Sequence, residues 1–251
     1  EPLEWLTFLS LSGSLFLAIS GSTVLNMWYD RDIDAKMKRT CHRPLCQKLV
    51  LPAEALRLGI VLSGLGLGWA LLLSPLYGLI ISAGLFFDVV VYTLWLKRRT
   101  PWSIVWGGIS GSMPVLAGRV LAIGQIDWIG VLLALAVLFW IPTHTLTFNI
   151  RYYEDYRSAG VPVFPSICGF GITRKMIVVS SLLAALAICV ASIWIGVTAG
   201  ALRLLAVLSA GLLLLALTTW RRPSDEVNFG LFKYASLFML SSMLVIAFGA
   251  V

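Results

Sequence analysis

The stretch Asn26-Met-Trp-Tyr-Asp30-Arg-Asp-Ile-Asp34 comes directly after an apolar run and sets an amide and two carboxylates four residues apart. In a helix a four-residue step returns to within about 40° of the same face, so Asn26, Asp30 and Asp34 form one ladder of oxygen ligands. The ladder lies where a membrane-crossing helix would reach the surface. Lys36, Lys38, Arg39 and Arg43 follow it at once. Carboxylates alone repel an anion, whereas carboxylates bridged by Mg²⁺ and ringed by cations bind a diphosphate. The chemistry that fits is that of an enzyme acting on a lipid diphosphate.

The rest of the chain supplies the membrane. It is 59% hydrophobic and 12% charged, with a mean hydropathy of +0.91, far outside the range of a soluble domain. Eight spans of roughly 20 residues are expected, at about 5–28, 53–75, 77–97, 103–123, 127–150, 175–197, 201–219 and 231–250. The expected fold is therefore an all-α, polytopic transmembrane bundle forming one domain over 1–251. The first span is too long for a signal peptide and lacks a basic lead.

The net charge of +7 reports topology rather than nucleic acid. Basic residues gather in alternate loops: Arg31 to Lys48 after the first span, Lys97-Arg98-Arg99 after the third, Arg151, Arg157, Arg174 and Lys175 after the fifth, and Arg221, Arg222 and Lys233 after the seventh. The positive-inside rule makes these four loops cytoplasmic. Cys41, Cys46, Cys168 and Cys189 show no disulfide pattern.

The fifth span ends, like the first, in a polar cluster: Asn149-Ile-Arg151-Tyr-Tyr-Glu154-Asp155-Tyr-Arg157. That weak repeat suggests two halves facing one cavity. With the first ladder, the second cluster could hold two Mg²⁺, which neutralise a leaving diphosphate as the carbon–oxygen bond breaks. The allylic cation left behind needs aromatic, water-free walls, for which Trp28, Tyr29, Tyr92, Trp95, Tyr152, Tyr153 and Tyr156 are available. Equally, Trp and Tyr populate any membrane interface. Lys97 is the member of its basic run nearest the helix and so best placed to reach a diphosphate oxygen.

Asp88, Arg119 and His144 fall within spans, where ionisable groups face a cavity or a partner. Asp88 and Arg119 could pair with each other. His144 follows Pro142-Thr143, so its imidazole either satisfies a carbonyl freed by the proline or contacts an acceptor substrate. Asp32 lies off the ladder face and is expected to pair with Lys36.

Four segments together resemble the UbiA superfamily of intramembrane prenyltransferases, and within it the protohaem IX farnesyltransferases. They are NMWYDRDIDAKMKRT with Arg43-Pro44-Leu45, VVVYTLWLKRRTPWSIVWGG at 89–108, Pro142-Thr143-His144, and EDYRSAGVPVFP at 154–165. The resemblance implies nine helices in the plasma membrane with active-site loops in the cytoplasm. Eight spans are counted here, so the helix ahead of the Asn26–Asp34 helix is expected to be missing from this numbering.

The resemblance also implies roles. Asn26, Asp30 and Asp34 hold one Mg²⁺, with Asn149, Glu154 and Asp155 around a second. Arg39, Arg43, Lys97, Arg98 and Arg157 meet the diphosphate, Tyr92 and Tyr153 line the pocket, and His144 contacts the acceptor. The implied reaction moves a farnesyl group from its diphosphate to protohaem. An aromatic acceptor such as 4-hydroxybenzoate or a naphthoate, its carboxylate on Arg119, is the first rival. A membrane transporter using Asp88, Arg119 and His144 is the second.

Overall fold

The computed structural model describes residues 5–249. Its helices are α1 (Trp5–Tyr29), α2 (Arg31–Asp34), α3 (Pro52–Leu73), α4 (Pro75–Leu85), a π-helical continuation of α4 (Phe86–Leu96), α5 (Ser103–Ile123), α6 (Trp128–Arg151), α7 (Tyr153–Ala159), α8 (Phe164–Ile167), α9 (Gly169–Ile195), α10 (Ala199–Arg221) and α11 (Asp225–Gly249). Among the described residues eight helices, α4 and its π continuation taken as one, are long and apolar enough to cross a membrane. Two of them start earlier than hydropathy predicts. Gly169, at φ 79°, opens α9 six residues ahead of its apolar core, and Asp225 and Glu226 supply an acidic first turn to α11, where carboxylates oppose the helix dipole favourably.

The chain forms two compact units, Glu1–Ile126 with Glu154–Pro162, and Asp127–Tyr153 with Val163–Val251. In the first, α1 turns a stripe of small residues, Ser14, Ala18, Gly21 and Ser22, inward. Helix α3 answers with Ala55, Gly59, Gly66 and Ala70. A Cβ on Gly66 would lie 2.8 Å from both Ala18 Cα and Ser14 O. Backbones this close are how helices associate in lipid, where apolar side chains gain nothing by leaving the bilayer. Tyr77 of α4 is fully buried beside this pair, its hydroxyl 2.9 Å from Ser14 Oγ.

Helix α4 opens with Pro75 at its first turn, where the missing N–H costs nothing. From Phe86 it loosens into the π segment, closed by Lys97 N donating to Tyr92 O at 2.8 Å. That extra residue per turn changes the direction of every side chain from Asp88 to Lys97. In the second unit, Asp127 caps α6 through Gly130 N at 2.8 Å, and α6 and α9 pack along Thr143, Ser180 and Ser181, whose hydroxyls meet at 2.8 and 2.9 Å. Large apolar side chains such as Leu72 and Leu6 remain exposed, as lipid-facing surface requires.

Candidate active site

The backbone spacing of the first ladder continues through a break in the helix. Helix α1 ends at Tyr29, and Asp30 takes φ −89°, ψ 8° before the short turn α2. The backbone spacing nevertheless continues, with Asp30 N bonded to Asn26 O at 2.9 Å and Asp34 N to Asp30 O at 2.8 Å. Asp30 and Asp34 are 1% and 6% exposed, so each carboxylate requires compensation.

Cations from two segments provide it. Lys97 Nζ forms an ion pair with Asp30 Oδ2, Arg98 Nη2 stands 3.4 Å from Asp30 Oδ1, and Arg43 Nη1 lies 2.5 Å from Asp34 Oδ2. Thr40 Oγ1 donates to the Asp34 carbonyl at 2.9 Å. Asn26 Nδ2 donates to Thr93 Oγ1 at 2.8 Å, which commits the amide nitrogen and leaves Oδ1 as the atom available to a cation. Arg39 N donates to Asp155 Oδ2 at 3.4 Å, tying α7 to the loop after α2. Lys97 Nζ also lies 5.4 Å from the Tyr92 ring centroid, and Gly107 leaves space for that ring, since a Cβ there would be 3.0 Å from Tyr92 Cδ2.

Burial pulls the Lys97 ammonium down, but Tyr92 and Asp30 together hold it above its ordinary value. Burial raises the Tyr156 phenol, which stays protonated. Asp32 pairs with Arg98 at 2.7 and 2.9 Å, not with Lys36. The Arg98 hydrogen bond holds the Asp32 carboxyl down despite partial burial, and Arg98 itself is held up chiefly by that bond. Sequence spacing favoured the local partner; Arg98 wins because it is also fixed over the Tyr29 ring at 4.5 Å and on Tyr29 O at 2.9 Å.

Several expected residues lie elsewhere. Arg119 sits sixteen positions into α5 from the end next to Lys97–Arg99, about 24 Å along the axis, so it does not join this cluster. Glu154 and Arg157 pair with each other at 3.9 Å and are 79% and 67% exposed at their side chains, which turns both to solvent. Asp88 accepts from Ser22 Oγ. Asn149, Tyr153 and His144 belong to the second unit. Asn149 is buried, and Tyr153 packs on Phe170 with centroids 5.0 Å apart.

His144 is stacked between Trp140, at 5.0 Å, and Phe232, at 4.4 Å. Ser236 Oγ donates to Phe232 O at 3.1 Å and lies 3.2 Å from His144 Nδ1. Thr93, Phe232 and Ser236 carry no motif. Only their later juxtaposition with Asn26 and His144 marks them.

Among the described residues no three His, Cys, Asp or Glu side chains gather as a metal site. The donor set, two buried carboxylates and an amide oxygen with cations beside them, still suits Mg²⁺. That ion is commonly held by one or two carboxylates, with phosphate oxygens and waters completing its shell.

A family profile described as the UbiA prenyltransferase family matches residues 1–242. Curated relatives called protoheme IX farnesyltransferase include those of Archaeoglobus fulgidus, 43% identical over 72% of this chain and 64% of the relative, and Korarchaeum cryptofilum, 43% identical over 70% and 60%. That of Pyrobaculum neutrophilum is 36% identical over 98% of this chain and 88% of the relative. The chain thus spans less than two thirds of the length of the first two. In structure it is similar to one described as digeranylgeranylglyceryl phosphate synthase, with TM-score 0.82, 20% identity and coverage of 99% and 87%. It is also similar to a UbiA homologue from Archaeoglobus fulgidus bound to DMAPP and Mg²⁺, with TM-score 0.71, 15% identity and coverage of 98% and 89%.

Proposed function

The chain belongs to the UbiA prenyltransferase family, and on that premise we propose that it transfers a farnesyl group from its diphosphate to protohaem, with Mg²⁺, at the cytoplasmic face of the plasma membrane. The observation that carries this reading is the pair of buried carboxylates, Asp30 met by Lys97 and Arg98 from a distant segment and Asp34 by Arg43 nine residues on. The names of the relatives supply the acceptor.

Asp30, Asp34 and Asn26 Oδ1 would hold Mg²⁺. When bound, the ion neutralises negative charge as the diphosphate leaves. Lys97, Arg98 and Arg43 stand beside these carboxylates, and Arg39 beside Asp155, as donors to diphosphate oxygens. Lys97 binds and orients the diphosphate. Tyr92 stands next to Lys97, and its ring face, like that of the protonated Tyr156, can stabilise an allylic cation without trapping it. His144 contacts the acceptor. A second Mg²⁺ would draw on Asp155, which shares a unit with Asp30.

The test is transfer by purified protein from labelled farnesyl or geranylgeranyl diphosphate, offered protohaem and 4-hydroxybenzoate in parallel. Label on haem that disappears in Asp30→Ala supports the reading. Label on the aromatic acid replaces the acceptor, and absence of diphosphate release with every acceptor overturns the reading.

A further inference from the structure

We propose that Arg151 and Lys233, both held on the ring of Phe229, anchor the two carboxylates of a planar tetrapyrrole acceptor; the proposal rests on the protohaem reading above and adds the residues that hold its propionates. Arg151 Cζ is 3.8 Å and Lys233 Nζ 4.4 Å from the Phe229 centroid. Sharing one ring, the two charges lie within about 8 Å of each other. Like charges at that separation repel, and among the described residues neither forms an ion pair with a carboxylate. Both residues are exposed, yet instead of diverging they converge on one ring, which presents two cations side by side to two anionic groups.

What lies next to them specifies the body of the ligand. Helices α6 and α11 run antiparallel, with Trp140 Nε1 on Ala235 O at 2.7 Å, His144 on Phe232, and Asn228 Nδ2 on Thr147 O at 2.9 Å. From the cation pair, aromatic rings continue through Phe232, stacked on Phe229 at 6.0 Å, and Phe148, 5.8 Å from Phe232, to His144. Arg151 and His144 are seven residues apart on α6, about 10 Å of rise. A macrocycle carrying both carboxylates on one edge spans that distance, its apolar body on the rings between the cations and His144. A single-ring acid reaching the cations would stop at Phe232.

The experiment compares protohaem with its dimethyl ester in wild type, Arg151→Gln, Lys233→Gln and the double variant, with Arg174→Gln as a cationic control in the same unit. KM for protohaem should rise roughly tenfold in the double variant, KM for farnesyl diphosphate should not move, and the ester should bind weakly to wild type and no worse to the variant. The charge-keeping pair Arg151→Lys with Lys233→Arg should recover most of the affinity. Equal effects on acid and ester, or none on either, would overturn the anchor. Haem affinity read by absorbance separates the two proposals. Transfer present with haem affinity unchanged in the double variant sinks the anchor alone. Affinity lost in that variant while wild type transfers nothing keeps the anchor and sinks the reaction.

Discussion

Lys97 Nζ is bonded to the Asp30 carboxylate, joining the end of the π segment to the end of α1 across 67 positions of sequence. Asp30 is 2% exposed at its side chain and Lys97 19%. Removing one partner of such a pair leaves an uncompensated buried charge, which costs about 3 kcal/mol or more.

Lys97→Met should accordingly lower the thermal midpoint in detergent, cushioned by Arg98 at 3.4 Å from the same carboxylate. Asp30→Asn combined with Lys97→Met should restore much of the loss, because no charge is then stranded. A double variant no more stable than Lys97→Met would show that the pair is not the source of the effect.

Asp30→Ala and Asp34→Ala should each slow diphosphate release by at least about a hundredfold, and EDTA should stop it until Mg²⁺ is returned. Asp88→Ala, which removes the acceptor of Ser22 Oγ and no contact with Asp30 or Asp34 that the structure shows, should stay within roughly tenfold of wild type by the same scale. Label-release assays on membranes decide this; the opposite ranking would favour transport.

The Asp32–Arg98 bridge is half in water, with side chains 57% and 34% exposed, so it contributes less than about 1 kcal/mol. Because Arg98 lowers the folded-state Asp32 pKa, that contribution is present above the unfolded carboxylate value of about 4 and fades as pH falls below it. Asp32→Asn should lower neutral-pH stability by less than about 1 kcal/mol and flatten the acid limb of a stability-versus-pH series by the same amount. A steep limb retained in Asp32→Asn would assign it to other carboxylates.

Gly66→Ala should destabilise by about 1–3 kcal/mol through overpacking, since its Cβ meets α1 backbone at 2.8 Å. Gly64, two residues away, has nothing within 4 Å of the point where a Cβ would stand, and Gly64→Ala should be neutral or mildly stabilising by helix propensity. Thermal unfolding of the two single variants side by side checks the close approach of α1 and α3.

Much of this protein was legible in its sequence. Uninterrupted apolar runs can only be helices in lipid, because every backbone group must find its partner within its own segment; hence eight spans were countable. The four-residue spacing of Asn26, Asp30 and Asp34 is likewise a local property, and it persisted through the turn at Asp30. The cations were visible as types, but not their partners. Arg98 rather than Lys36 meets Asp32 because the Tyr29 ring and carbonyl hold it there, and no residue pattern announced that contact.

The second cluster was the harder case. Read as one string, Asn149 to Arg157 looked like a single ligand set, yet α6 ends at Arg151 and α7 begins at Tyr153. The break places Asn149 in one unit and Glu154 and Asp155 in the other, with Glu154 turned to solvent beside Arg157. Composition, spans and the first carboxylate ladder were set by near-neighbour chemistry, which the sequence carries directly. Which cation neutralises which carboxylate, and which rings enclose His144, were decided only when helices distant in sequence packed together, because a buried charge or imidazole takes the partner that tertiary geometry brings within reach.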